Sequence, residues 1–100
     1  MTTFVLLSKV SNASVGQVSS LLKMDEEFNR KLAQQCPDVK RVASYALLGA
    51  WDFLHIFEAP DAKIAAQVAL IANSFGVAQT HTLTAIPFDE FREVVEKAIQ

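Results

Sequence analysis

One cysteine, three prolines and three glycines in 100 residues close off several architectures at once. Cys36 has no second thiol to pair with, so the chain is not a disulfide-stapled secreted scaffold. With so few glycines and prolines there is no linker or low-complexity tract, and Pro37, Gly49, Pro60, Gly76 and Pro87 mark turns or element ends. A dominant charge is missing too. Nine Lys and Arg stand against eleven Asp and Glu, a formal net charge of -2, so no basic field is available to neutralise phosphates and nucleic acid is not an expected partner. No run reaches the ~20 apolar residues of a membrane-spanning helix. The apolar stretch from Phe4 to Leu7 is too short for a signal-peptide core. A cytoplasmic protein without a membrane partner is the expectation.

What remains is a chain 51% hydrophobic and 20% charged, the balance of one globular domain spanning residues 1–100. Thr3 to Val10 reads as a strand with Phe4, Leu6 and Val10 on one face and Val5 and Leu7 on the other, which suits a central strand buried on both sides. Ser11 to Ser14 is a polar loop ending in an N-cap. Val15, Val18, Leu21, Leu22, Phe28 and Leu32 then recur at helical spacing. Asp25 interrupts that stripe, and because a buried unpaired carboxylate is costly, a break near Lys23 to Asp25 is expected. Pro37 makes Cys36 the helix exit.

Val39 to Leu48 and Trp51 to Glu58 are strand-like runs joined through Gly49 and Ala50, the pattern of a hairpin. The second run is apolar on both parities and should also be central. Asp61 is a natural N-cap and Gly76 a natural stop for a helix lined by Ile64, Ala65, Val68, Ala69, Ile71 and Ala72. Val77 to Ile86 reads as the fourth strand. Pro87 ends it, and Phe88, Phe91, Val94, Val95 and Ile99 form the apolar stripe of a last helix.

The order β, α, β, β, α, β is the split βαβ plan, an α+β ferredoxin-like domain with a four-stranded antiparallel sheet and an extra C-terminal helix. Its two crossover helices share one side of the sheet. The other side, expected to carry Phe53 and Phe57, then needs a cover from outside the chain, and a homodimer or higher homo-oligomer stacked sheet to sheet is the simplest one.

Leu47-Leu48-Gly49-Ala50-Trp51-Asp52-Phe53, followed by Ile56-Phe57-Glu58-Ala59-Pro60-Asp61, resembles the signature of the GYD domain family, a Gly-x-Tyr-Asp turn, a hydrophobic strand and then Glu-Ala-Pro-Asp. Gly76-Val77, Thr80 to Leu83 and Ala85 fit the family's fourth strand. Two departures stand out: Trp51 replaces the tyrosine, which removes a phenol, and Cys36-Pro37-Asp38 replaces a glycine-rich helix exit. The resemblance implies a bacterial protein with a dimeric α/β-barrel type fold, and it implies little about activity. A similar hairpin occurs in the ligand-sensing modules of leucine-responsive-type regulators, an analogy of fold and not of function.

No complete catalytic or metal-binding constellation is present. Gly49 is the candidate structural turn, and Asp52 most simply accepts amide hydrogen bonds there. The functional reading groups Trp51, Asp52, His55, Tyr45 and His81 as a ligand-binding set in a cavity between stacked sheets. The plain reading makes the two imidazoles ordinary interface histidines. Neither belongs to a metal-ligand spacing and Cys36 stands apart, so no metal and no cofactor are expected, although a haem held by one histidine leaves no spacing to read. Two functions follow: a small-molecule or partner-binding module, or a cofactor-independent oxygenase or isomerase with His55 as general base.

Overall fold

The computed structural model describes residues 1–10, 18–75 and 77–100. The expectations placed on Ser14, Val15 and Gly76 lie outside the described residues. Among the described residues seven elements follow in order: β1 (Thr2–Val10), α1 (Val18–Gln35), β2 (Lys40–Ala46), β3 (Phe53–Ala59), α2 (Ala62–Asn73), β4 (Val77–Ala85) and α3 (Phe88–Ala98). The strands form one four-stranded antiparallel sheet in the order β2-β3-β1-β4. Hence β1 and β3, the two strands apolar on both parities, occupy the middle.

Residues opposite one another across paired strands share a sheet face. Phe4 pairs with Phe57, Leu6 with His55 and Ser8 with Phe53, and these positions face the helices. Phe4 and Phe57 stack with ring centroids 5.7 Å apart. From above, α1 adds Phe28 and Leu32, Cys36 just past its end continues the four-residue interval, and α2 adds Ala65, Val68, Ile71 and Ala72. Each large side chain so buried contributes about 1.5–3 kcal/mol, so this one layer holds the fold together. The small residues of α2 let its backbone lie close to β3 and β4.

The expectation that Phe53 and Phe57 lie on the uncovered face is corrected: both project under the helices. The uncovered face carries the other parity. Ala43, Ile56, Val5 and Leu83 form one cross-strand row, and Tyr45, Leu54, Leu7 and His81 form the next. The two strands are central as expected, but the excess apolar surface belongs to Val5, Leu7, Leu54 and Ile56.

Helix α1 is likewise unbroken over its 18 residues. No break is needed at Asp25 because its carboxylate is half exposed, accepts a hydrogen bond from Asn29 Nδ2 at 3.3 Å and lies 3.9 Å from Arg41. A charge that reaches water and a cation carries no burial penalty. The helix ends at Gln35 and Cys36 marks the exit ahead of Pro37 as expected, with Cys36 N–H donating to the Leu32 carbonyl at 2.8 Å. Asp61 caps α2, accepting from Ile64 N–H at 3.0 Å. None of the residues of α3 is buried, although Phe88, Phe91, Val94, Val95 and Ile99 make one apolar stripe.

Candidate functional site

The β2–β3 connection is held by backbone chemistry. Gly49 adopts φ +143, a conformation that L side chains rarely adopt, with nothing within 4 Å of where a Cβ would sit. Its requirement is thus conformational and not one of space. Beside it, Leu47 N–H donates to the Asp52 carbonyl at 2.8 Å, and Asp52 N–H donates to the Ser8 carbonyl at 2.9 Å. The Asp52 carboxylate accepts Val10 N–H at 2.8 Å, where β1 shifts register against β4. Asp52 therefore ties the hairpin connection to the central strand, and its carboxylate is spent on that bond.

The two histidines, which would share a cavity if they faced the same way, face opposite ways. His55 pairs with Leu6 on the helix side, whereas His81 pairs with Leu7 on the uncovered side. Trp51 goes with His81, ring centroids 5.9 Å apart. Tyr45, 59% exposed, sits in the same cross-strand row as His81 but on the opposite edge, roughly 14 Å away at ~4.8 Å per strand. Of the sequence-derived set, Trp51 and His81 meet on the uncovered side, whereas Tyr45 and His55 border one cavity on the helix side.

His55 is embedded in a cluster of its own. Arg41 Nη2 lies 3.1 Å from Nδ1, Ser44 Oγ lies 2.8 Å from the same nitrogen, and Arg41 also donates to Ser44 Oγ. Guanidinium groups only donate, so Nδ1 must be the accepting nitrogen and the ring proton sits on Nε2. Phe28 and Phe53 flank the ring, with centroids 6.0 and 6.4 Å away. Burial first, and then the Arg41 charge, push the His55 pKa below its ordinary value, while the Asp25 carboxylate pulls the other way. A neutral ring with its lone pair occupied is a hydrogen-bond donor, not a poised general base.

This cluster borders a cavity of about 570 Å³ between α1 and the helix side of the sheet. Its walls include Leu6, Val10, Phe28, Phe53, Ala72 and Phe75, and its polar groups come from Ser8, Ser44, His55 and Asp25, with Tyr45 at the rim. Sequence reading missed Ser8, Arg41 and Ser44. The parity of Phe4, Leu6 and Val10 marks the side that Ser8 takes. No comparable signal exists for Arg41, because the register shift between Arg41 and Ala43 breaks the alternation of β2.

Among the described residues no group of three or more His, Cys, Asp or Glu side chains could hold a metal ion. Cys36 is buried, and that burial raises its thiol pKa, which disfavours thiolate chemistry. No helix among the described residues is long and apolar enough to cross a membrane.

Comparison with known proteins adds three findings. The family model described as GYD domain matches residues 4–95. A Thermus thermophilus protein named glutamine synthetase and cystathionine beta-lyase binding protein is 36% identical over 87 residues, covering 87% of this chain and 90% of that protein. Among solved structures, MtbAldR superposes with a TM-score of 0.61 at 15% identity, over 86% of this chain and 52% of that one, so the chain spans about half of that protein. TTHA0845, also from Thermus thermophilus, superposes with a TM-score of 0.57 at 19% identity, covering 87% and 95% of the two chains. At such identities the structural likeness is one of fold.

Proposed function

The chain belongs to the GYD domain family, and from that premise we propose that it is a self-associating, non-enzymatic module whose partner is another protein. The observation that carries this reading is α3. Phe88, Phe91, Val95 and Ile99 follow helical spacing on one side, all are at least 41% exposed, and no residue of the helix is buried within the chain. An amphipathic helix with anchors at such intervals is the form that lies in another protein's hydrophobic groove. The relative named for binding glutamine synthetase and cystathionine beta-lyase supports an enzyme as that partner.

The uncovered sheet face supports self-association. Its centre is Val5, Leu7, Leu54 and Ile56, and its rim is Lys40, Glu58, Tyr45 and His81. An apolar centre with a polar rim is the anatomy of a protein interface. Four strands at ~4.8 Å spacing and three cross-strand rows give roughly 400 Å² per copy, about half of the ~800 Å² per partner of a standard interface. Side-chain edges must add to it.

Sedimentation velocity and surface plasmon resonance test the two parts. The wild type should sediment as a dimer at tens of micromolar, and Leu54→Asp should give a folded monomer; a monomeric wild type overturns self-association. Immobilised chain should bind purified glutamine synthetase or cystathionine beta-lyase saturably, with at least tenfold loss for Phe91→Asp. If neither enzyme binds, or if Phe91→Asp binds as the wild type does, the role given to α3 falls.

A further inference from the structure

We propose that the cavity beneath α1 is a binding site for a small, uncharged, largely apolar molecule that carries a carbonyl oxygen. The site is distinct from the uncovered sheet face, because the cavity lies on the opposite side of the sheet, and from α3, none of whose residues lines it, and it stands whether or not the protein-partner reading holds. Three observations carry it. At about 570 Å³ the cavity falls within the range of small-molecule pockets.

Ser8 supplies the second. The residue is 3% exposed and lines the cavity, so it sets a hydroxyl on an otherwise apolar wall. Valine or alanine would fill the position without a polar group, whereas a hydroxyl here can hydrogen-bond to an oxygen inside the cavity.

The third is the set of groups that a ligand would meet. With Nδ1 occupied by Arg41 and Ser44, the ring of His55 offers Nε2–H, which has no partner among the described residues. Ser8 and His55 are diagonal neighbours on the central strands, since Ser8 pairs with Phe53 and Leu6 with His55. Both offer a donor, which calls for an acceptor on the ligand. Charge sets the remaining specificity. Among the described residues Arg41 does not line the cavity, and the one charged side chain that does is Asp25, a carboxylate. An anionic head group would enter against that charge, whereas a ketone, ester or amide meets no such barrier.

Heteronuclear NMR titration of the full chain with methyl heptyl ketone, and in parallel with octanoate, tests the assignment. Saturable shifts are expected at Ser8, Phe53, His55 and Ala72, with the ketone binding at least tenfold more tightly than octanoate. Ser8→Ala should weaken the ketone by about tenfold, a change of about 1.4 kcal/mol. Ala46→Trp, at an exposed position on the cavity rim, should abolish binding and leave the sedimentation behaviour of the chain unchanged. The proposal is overturned by absence of saturable shifts, by shifts centred on Leu7, Leu54 and His81, by octanoate binding as tightly as the ketone, or by undiminished binding to Ser8→Ala.

Discussion

The Asp52 carboxylate accepts the Val10 amide at 2.8 Å across 42 residues of chain, joining the hairpin connection to the far end of the central strand. The bond closes the sheet where regular β1–β3 pairing stops at Ser8 and Phe53. Removing the carboxylate leaves a partly buried N–H unpaired, at a cost of about 1–3 kcal/mol. Asp52→Ala should therefore lower the urea midpoint with an unchanged slope. An unchanged midpoint would show that the carboxylate contributes nothing to the closure.

Gly49 calls for a separate measurement because its surroundings are open. Gly49→Ala meets no atom within 4 Å yet must adopt φ +143, so it should destabilise by about 1–3 kcal/mol from backbone strain alone. Thermal unfolding reads this directly, and a variant as stable as the wild type would mean the connection relaxes to another conformation.

Two hydrophobic truncations should differ sharply. Phe57→Ala removes a 2% exposed ring stacked on Phe4 and should cost about 3–5 kcal/mol, a large part of a small domain's stability. Leu22→Ala touches a residue 76% exposed and should stay within about 0.5 kcal/mol of the wild type. Equal effects from both in chemical denaturation would contradict the assigned core.

The lowered His55 pKa makes stability depend on pH. The folded state holds its proton less tightly than the unfolded chain, whose ordinary value is 6.5, so unfolded molecules bind more protons in that interval and stability rises with pH. The contribution is complete above 6.5 and is lost as pH falls from there towards the folded value. Subtracting the pH profile of His55→Gln from that of the wild type should isolate this slope, and parallel profiles would remove it. Replacing Arg41 with Gln takes away one of the two downward influences, so the NMR titration of His55 should move upward.

Much of the fold was legible in the residues themselves, and the reasons are local. Alternation in β1 and β3 announced central strands, Asp61 announced a cap, and Pro37 announced a helix end. Which face of β3 the helices would cover was not legible, because Phe53, His55 and Phe57 compete with Leu54 and Ile56 as equally apolar sets. Choosing the wrong set placed His55 beside His81 in expectation, whereas pairing with Leu6 and Leu7 puts them on opposite faces. Asp25 misled for a related reason: helical spacing fixes direction but does not reveal the cation that Arg41 brings from β2. The Arg41–Ser44–His55 cluster depends on a register shift within β2 that no periodicity encodes.

Strand β3 thus serves two surfaces that share a backbone and nothing else. Stepping residue by residue from Phe53 to Ala59 passes alternately between the chain's interior and its outward-facing sheet. Selection can retune the outward-facing sheet through Leu54 and Ile56 while Phe53, His55 and Phe57 keep the interior chemistry intact, so neighbours in sequence are free to diversify on separate schedules.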